Sequence, residues 1–182
     1  MSDKAQNAAA GASDQKVVIE RTYRATVEEL WELWTTKEGF ESWWGPGGFR
    51  AEVHAIEPRV NGELHYDMIA ATPEMVAAMK QMGRPSSHET RARFSEISPR
   101  ERLVLAHVVD FLPGVKTYES TIVAEFFPSG EWVRMVVTLH PMHAEEFTKM
   151  TAEGFRSQLA KLDKKFDRKT SSNTSPSKDS TF

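Results

Sequence analysis

Two periods of apolar residues run along this chain, and the switches between them mark its elements. Residues 17–23 read as a strand. From Thr26 the spacing turns helical: Val27, Leu30, Trp31 and Trp34 make one apolar face. Thr26 and Glu29 have the spacing of a capping box, in which each side chain answers the other's free backbone donor. Thr36 can cap a second short helix carrying Phe40, Trp43 and Trp44. The run Gly45-Pro46-Gly47-Gly48 ends it, because proline removes a donor and glycine favours other backbone angles.

Strands follow near 49–57 and 62–69, joined around Pro58 and Asn61-Gly62. Setting Val53 opposite Tyr66 and Ala55 opposite Leu64 gathers Ala51, Val53, Ala55, Leu64, Tyr66 and Met68 on one face. Glu52, His54, Glu63, His65 and Asp67 then share the other, and a one-residue slip would mix the two sets. Residues 73–82 read as a short helix with Pro73 in its first turn. Strands near 88–97 and 101–109 turn at Ser98-Pro99. Setting Phe94 opposite Leu105 brings Ala92 opposite His107 on the inward face, although 101–109 is apolar at both parities. A hairpin of 117–127 and 131–139 turns at Ser129-Gly130. Its expected register pairs Phe126 with Val133, Ala124 with Met135 and Ile122 with Val137. The other face then pairs Glu125 with Arg134, Thr121 with Thr138 and Phe127 with Trp132. Residues 141–166 read as a long helix with an apolar stripe that includes Phe147, Met150, Phe155, Leu159, Leu162 and Phe166. Acidic residues open that helix and lysines close it, which suits its dipole.

This order predicts an α+β fold: a curved antiparallel sheet of about seven strands around a long C-terminal helix, with two short helices after the first strand. Residues 1–15 and 168–182 are polar and aperiodic, so they are expected to be disordered tails flanking one domain at 16–167.

Composition narrows the function classes. The 182 residues include no cysteine, which excludes a disulfide scaffold, thiolate metal ligation and a cysteine nucleophile. A formal charge of −3 offers no basic field for nucleic acid. No apolar run approaches the roughly 20 residues that span a bilayer, so no membrane insertion is expected. The opening stretch lacks a signal peptide's apolar core, which points to a cytoplasmic protein.

The segments ATVEELWELWTTKEGFESWWGPGGF, PRVNGELHYDM, SPRERLVL and EGFRSQLAKL, in this order, resemble the SRPBCC (START-like, helix-grip) superfamily. The similarity is to the branch typified by the C-terminal domain of the heat-shock-protein-90 ATPase activator, over about residues 16–166. The resemblance implies a seven-stranded sheet gripping the last helix, with a cavity between them that binds apolar small molecules in many members. Some superfamily members are cyclases or other enzymes. The chain departs from the pattern in two places. Phe155 follows Gly154 where the family often has tryptophan, and PRVNGEL has one glycine where two are frequent; the 73–85 insertion lies where members vary, and could cover a cavity mouth. The eukaryotic activator uses a separate N-terminal domain for its full chaperone contact, and the 15 or so residues before the first strand are too few for one. The resemblance therefore implies the fold rather than a co-chaperone role.

Several side chains can line such a cavity. Trp31, Trp34, Trp43 and Trp44 offer an aromatic wall, with one of the adjacent pair 43–44 at the cavity or its rim. Val53, Leu64, Met68, Phe94, Ile122 and Met135 come from inward strand positions, and Met150 and Phe155 from the helix. Tyr66, Tyr118 and Ser120 bring hydroxyls, and His107 is a titratable group on the same face. Other features have structural readings. The Gly45–Gly48 loop lacks a phosphate-binding fingerprint, and Arg91 and Arg93 read as a solvated strand face. His140 with His143, and His54 with His65, do not make a metal site, and no metal or cofactor is expected. The reading is a module binding a small apolar molecule, as monomer or homodimer. The alternatives are a cyclase- or hydrolase-type enzyme using His107 or a cavity tyrosine, and a protein-interaction module of chaperone-accessory or stress-response type.

Overall fold

A computed structural model describes residues 15–110 and 112–169. β1 (Val17–Arg24) is followed by α1 (Val27–Thr35) and α2 (Lys37–Glu41). The Thr26 capping box forms: Thr26 N–H donates to Glu29 Oε2 at 2.8 Å, and Glu29 N–H to Thr26 Oγ1 at 3.2 Å. Thr36 ends α1 and caps α2 through Gly39 N–H at 3.0 Å. A Cβ at Gly39 would collide with the Glu32 carbonyl, so this corner requires glycine.

β2 (Phe49–Ile56) and β3 (Glu63–Ala70) form the first hairpin, and α3 (Pro73–Gln81) leads to β4 (Ser87–Ser98). β5 (Arg102–Val109), β6 (Tyr118–Ser129) and β7 (Trp132–Leu139) complete the sheet, and α4 (Glu145–Lys165) crosses its concave face. The seven strands run in the order β1-β7-β6-β5-β4-β3-β2, all neighbours antiparallel. This is the α+β architecture the pattern predicts.

Three registers test the expectations more finely. Ala92 opposes His107 and Phe94 opposes Leu105, as expected. Val53 opposes Tyr66 as expected, but a bulge after Val53 sets Ala55 against His65 and Ile56 against Leu64. The expected Ala55–Leu64 pairing is therefore corrected by one extra residue on β2. In the last hairpin, Phe126 faces Met135, Ala124 faces Val137 and Ile122 faces Leu139, two residues from the expected register. A slip of two leaves every side chain on its face, so alternation could not detect it. The turn decides instead. Ser129 pairs with Trp132, leaving a two-residue connection whose first member, Gly130, has φ 59°. The expected Glu125–Arg134 pair gives way to Glu125 with Arg102 at 3.3 Å and Arg134 with Glu20 at 3.1 Å. Arg134 lies 4.4 Å over the Phe127 ring. Before Gly62, Asn61 takes the left-handed conformation, φ 62°, which asparagine tolerates better than most residues.

α4 begins at Glu145 rather than 141. Met142 is buried, and its N–H donates to Thr148 Oγ1 at 2.9 Å, so the preceding residues fold back on the first turn instead of extending it. At 21 residues the helix is about 32 Å long. Its far end is fixed by Tyr23, which donates to Asp163 Oδ1 at 2.6 Å, and by Lys161, which donates to the Phe49 carbonyl at 2.8 Å. Most of the two expected tails lies outside the described residues. Arg168 and Lys169, inside them, still pair with β1: Arg168 bridges Tyr23, and Lys169 N–H donates to Thr22 O at 2.8 Å.

Candidate functional site

The inward face of the sheet changes character along its length. At one end Leu103, Leu105, Phe126, Val133 and Met135 are buried, as are Leu159 and Leu162 of α4 above them. At the other end the chain enters the 71–86, 110–117 and 140–144 connections. Met68, Thr90, His107, Tyr118, Ser120 and Ile122 are only partly buried there. They continue the alternation of buried Tyr66, Leu105 and Ala124, so their exposure lies on the concave side near the first half of α4.

The expected aromatic wall is packed core. Trp34 and Trp43 are fully buried with ring centroids 5.0 Å apart, and Phe155 lies 6.3 Å from Trp34 and 5.9 Å from Trp43. Trp43 and Trp44 are both buried, and they diverge. Trp43 Nε1–H returns to the Leu33 carbonyl at 2.9 Å, whereas Trp44 Nε1–H reaches the sheet at Tyr66 Oη, 3.0 Å away. Trp31, itself partly exposed, sits at the other end, edge-on to Phe126 at 5.7 Å. Val53, Leu64, Phe94 and Met135 are buried floor beneath this packing. Met150 departs from its expected inward position. It is 64% exposed, because the buried stripe of α4 runs through Thr148, Ala152 and Phe155, and Met150, two residues from both Thr148 and Ala152, falls on the opposite face of the helix.

A cavity spanning the whole sheet–helix interface is therefore not what the side chains make. Among the described residues, two of the better-formed surface depressions lie elsewhere. One of about 570 Å³ is lined by Glu29, Glu32, Glu38 and Lys165, and one of about 170 Å³ by Asn61, Arg91, Arg93 and Glu119. Neither lies between sheet and α4.

Polar groups converge where the character changes. Tyr66 Oη accepts from Trp44 Nε1 and lies 3.1 Å from His107 Nε2. The His107 ring stacks on Trp44 at 5.9 Å with the planes 5° apart. Ala92 and Ser120 flank His107 on the neighbouring strands, so small side chains border it on both sides. Burial lowers the His107 pKa to about 4, which keeps the imidazole neutral at physiological pH. Burial also pushes the Tyr66 phenol well up, so it stays protonated. A neutral imidazole of such low basicity suits hydrogen bonding better than proton transfer near pH 7.

Gln158 was not anticipated. It is buried on α4, and its Oε1 accepts from Gly45 N–H at 2.9 Å. The signal was present: a polar residue inside the Phe155–Leu162 stripe must have a reason to be there. Tyr118 Oη lies 3.0 Å from His143 Nδ1, whose ring is 4.8 Å from Phe147, at the mouth of the half-open end. On the outer face, His54 and His65 stand 5.0 Å apart. Each pairs with a carboxylate, Asp67 and Glu89 respectively, at 2.9 Å. Among the described residues no group of three or more His, Asp or Glu side chains is placed to hold a metal. No helix among them is long and apolar enough to cross a membrane.

Comparison with known proteins agrees with this architecture. Residues 24–167 match the family described as Activator of Hsp90 ATPase homolog 1-like protein. No curated relative matches the chain. Among solved structures, one from Arthrobacter aurescens is similar at 20% identity and a TM-score of 0.66, over 84% of this chain and 86% of that one. The AHSA1 protein of Silicibacter pomeroyi aligns at 17% identity and 0.65, over 83% and 96%. A protein of Nitrosomonas europaea aligns at 18% and 0.64, over 84% and 94%. At these identities the likeness establishes the fold alone.

Proposed function

Since the chain belongs to the Activator of Hsp90 ATPase homolog 1-like family, whose helix-grip fold suits a ligand-binding module, we propose that it binds a small, mainly apolar molecule at the half-open end of the sheet. One observation carries this reading. Met68 and Ile122 occupy inward positions yet keep partial exposure, as Ile97 and Trp31 do at the other end, and Met68 and Ile122 differ in standing beside the inward polar groups Tyr66 and Ser120, two residues along their own strands. Inward apolar side chains left accessible to water favour a guest that covers them, by about 25 cal/mol per Å² buried. Met68 can shift to admit one, being unbranched and polarizable. Phe155, Trp44 and Tyr66 form the inner wall, and Tyr118 and Phe147 the outer rim. The enzyme alternative draws less support, because the low basicity of His107 leaves it a weak general base at neutral pH.

Amide and methyl NMR of the whole chain against a set of apolar aromatic fragments tests the proposal. Saturable shifts should centre on Met68, Ser120 and Ile122 and leave Leu103 and Val133 unmoved. Ile122→Trp should abolish them by filling the space. Shifts centred on the acidic depression near Glu32, or none at all, would refute the assignment.

A further inference from the structure

The buried polar atoms around Trp44 are out of balance. Trp44 packs 5.6 Å from Trp34 and 5.9 Å from His107, and the next residue gives its N–H to Gln158. Trp34 Nε1, Gln158 Nε2 and His107 Nδ1 are all buried without a hydrogen-bond partner. Trp34 is 0% and Gln158 4% exposed. An indole nitrogen and an amide nitrogen can only donate. Turning the Gln158 amide over would set its NH₂ against the Gly45 N–H, so its donor is held in the unpaired position.

His107 follows the same logic. A phenol is the more acidic donor and an imidazole nitrogen the more basic acceptor, so the Tyr66 O–H donates to His107 Nε2 across their 3.1 Å contact. Tyr66 Oη then keeps a lone pair for Trp44 Nε1–H. The neutral ring must then carry its proton on Nδ1, the atom without a partner. A buried donor without a partner is costly, and His107 is the one of the three residues that keeps partial exposure, so its Nδ1–H is the donor an incoming acceptor can satisfy.

We infer that the ligand of this site presents an uncharged acceptor oxygen, of the ketone, ester or amide carbonyl kind, to His107 Nδ1–H. This rests on the ligand-binding reading above. An anion fits less well, because burying one requires a matching cation. Lys161, one turn beyond Gln158 on α4, already has its ammonium on the Phe49 carbonyl.

Three probes of nearly equal shape separate the possibilities on the whole chain at neutral pH: 2-acetonaphthone, 2-ethylnaphthalene and 2-naphthoate. The ketone should bind about fivefold or more tighter than the hydrocarbon, the worth of one net hydrogen bond, and tighter than the carboxylate. In His107→Phe the ketone should lose that advantage while the hydrocarbon still binds. Equal binding of ketone and hydrocarbon to the unaltered protein would overturn the acceptor inference and leave the apolar-ligand reading standing. Tighter binding of the carboxylate would overturn the uncharged class. Binding of none of the three would overturn both readings. Long-range ¹H–¹⁵N spectra of the unaltered protein need no variant to fold: they should show the His107 proton on Nδ1 and a bare Nε2, and a proton on Nε2 would refute the inference.

Discussion

At one end of the concave face, Leu103 pairs with Ala124 and Phe126 with Met135, with all four side chains buried and Phe126 against Trp31 of α1. At the other, His107 pairs with Ser120 and Val109 with Tyr118, and His107, Ser120 and Tyr118 are partly exposed while Val109 stays buried. The same strands and the same pleat make both ends, so the difference lies in the side chains. The closed end uses bulky hydrocarbons whose only requirement is volume. The half-open end uses a histidine, hydroxyls and small residues, which fill less volume and carry hydrogen-bonding groups. On the proposed function, stability should reside in one end and ligand affinity in the other.

Leu105 and Ile122 give the sharpest contrast, because they face each other on β5 and β6 across the boundary. Leu105 is 0% exposed and Ile122 partly exposed. Leu105→Ala should lose about 2–5 kcal/mol in urea unfolding, and Ile122→Ala about half as much. Equal losses would erase the proposed boundary.

Acid should next weaken the half-open end. The folded His107 has a pKa of about 4 against an ordinary 6.5, so the unfolded chain binds more protons between those values. The stability from keeping the ring neutral is complete above pH 6.5. It declines as pH falls towards 4 and changes little below that. The full swing is about 3 kcal/mol. Comparing urea midpoints from pH 7 to 4 with those of His107→Phe isolates this contribution. A variant as acid-sensitive as the parent would show that the ring is solvated.

Much of this contrast could be read before any coordinates. The capping box at Thr26, the pairing of Ala92 with His107 and the face shared by Tyr66 and Met68 all follow from local chemistry and a period of two. The misses have physical causes. The last hairpin slipped by two because parity is blind to even shifts, and only the Gly130 turn distinguishes them. The bulge after Val53 inserts a residue that no alternation announces. The tryptophans were legible as an aromatic cluster, but whether they line a space or fill it depends on how α2 is placed over α4. Gln158 was visible as a polar intrusion in an apolar stripe, whereas its Gly45 partner, 113 residues away, was not.

Tyr66→Phe probes the joint between the two ends. It keeps the ring against Phe40, 5.2 Å away, and removes only the hydroxyl between Trp44 and His107. Leaving the buried Trp44 donor unpaired should cost about 1–3 kcal/mol in urea unfolding. The same change frees the His107 tautomer, so the proton on Nδ1 should become a mixture in ¹⁵N spectra. Destabilisation without a tautomer change would mean that Tyr66 packs but does not direct the histidine.

Met150 supplies the smallest expected effect and bounds the site. Helical spacing alone puts it on the inward stripe, yet it is 64% exposed, while Ala152 and Phe155 on the same helix are buried. Truncating an exposed side chain with no partner to lose should change stability by less than about 0.5 kcal/mol. Met150→Ala should also leave 2-acetonaphthone affinity unaltered, whereas Met68→Ala, on the inward face, should weaken it severalfold by removing apolar contact. If Met150→Ala weakened the ketone as much as Met68→Ala does, the guest would have to reach over the outer surface of α4, and the half-open end would be an entrance to a larger site.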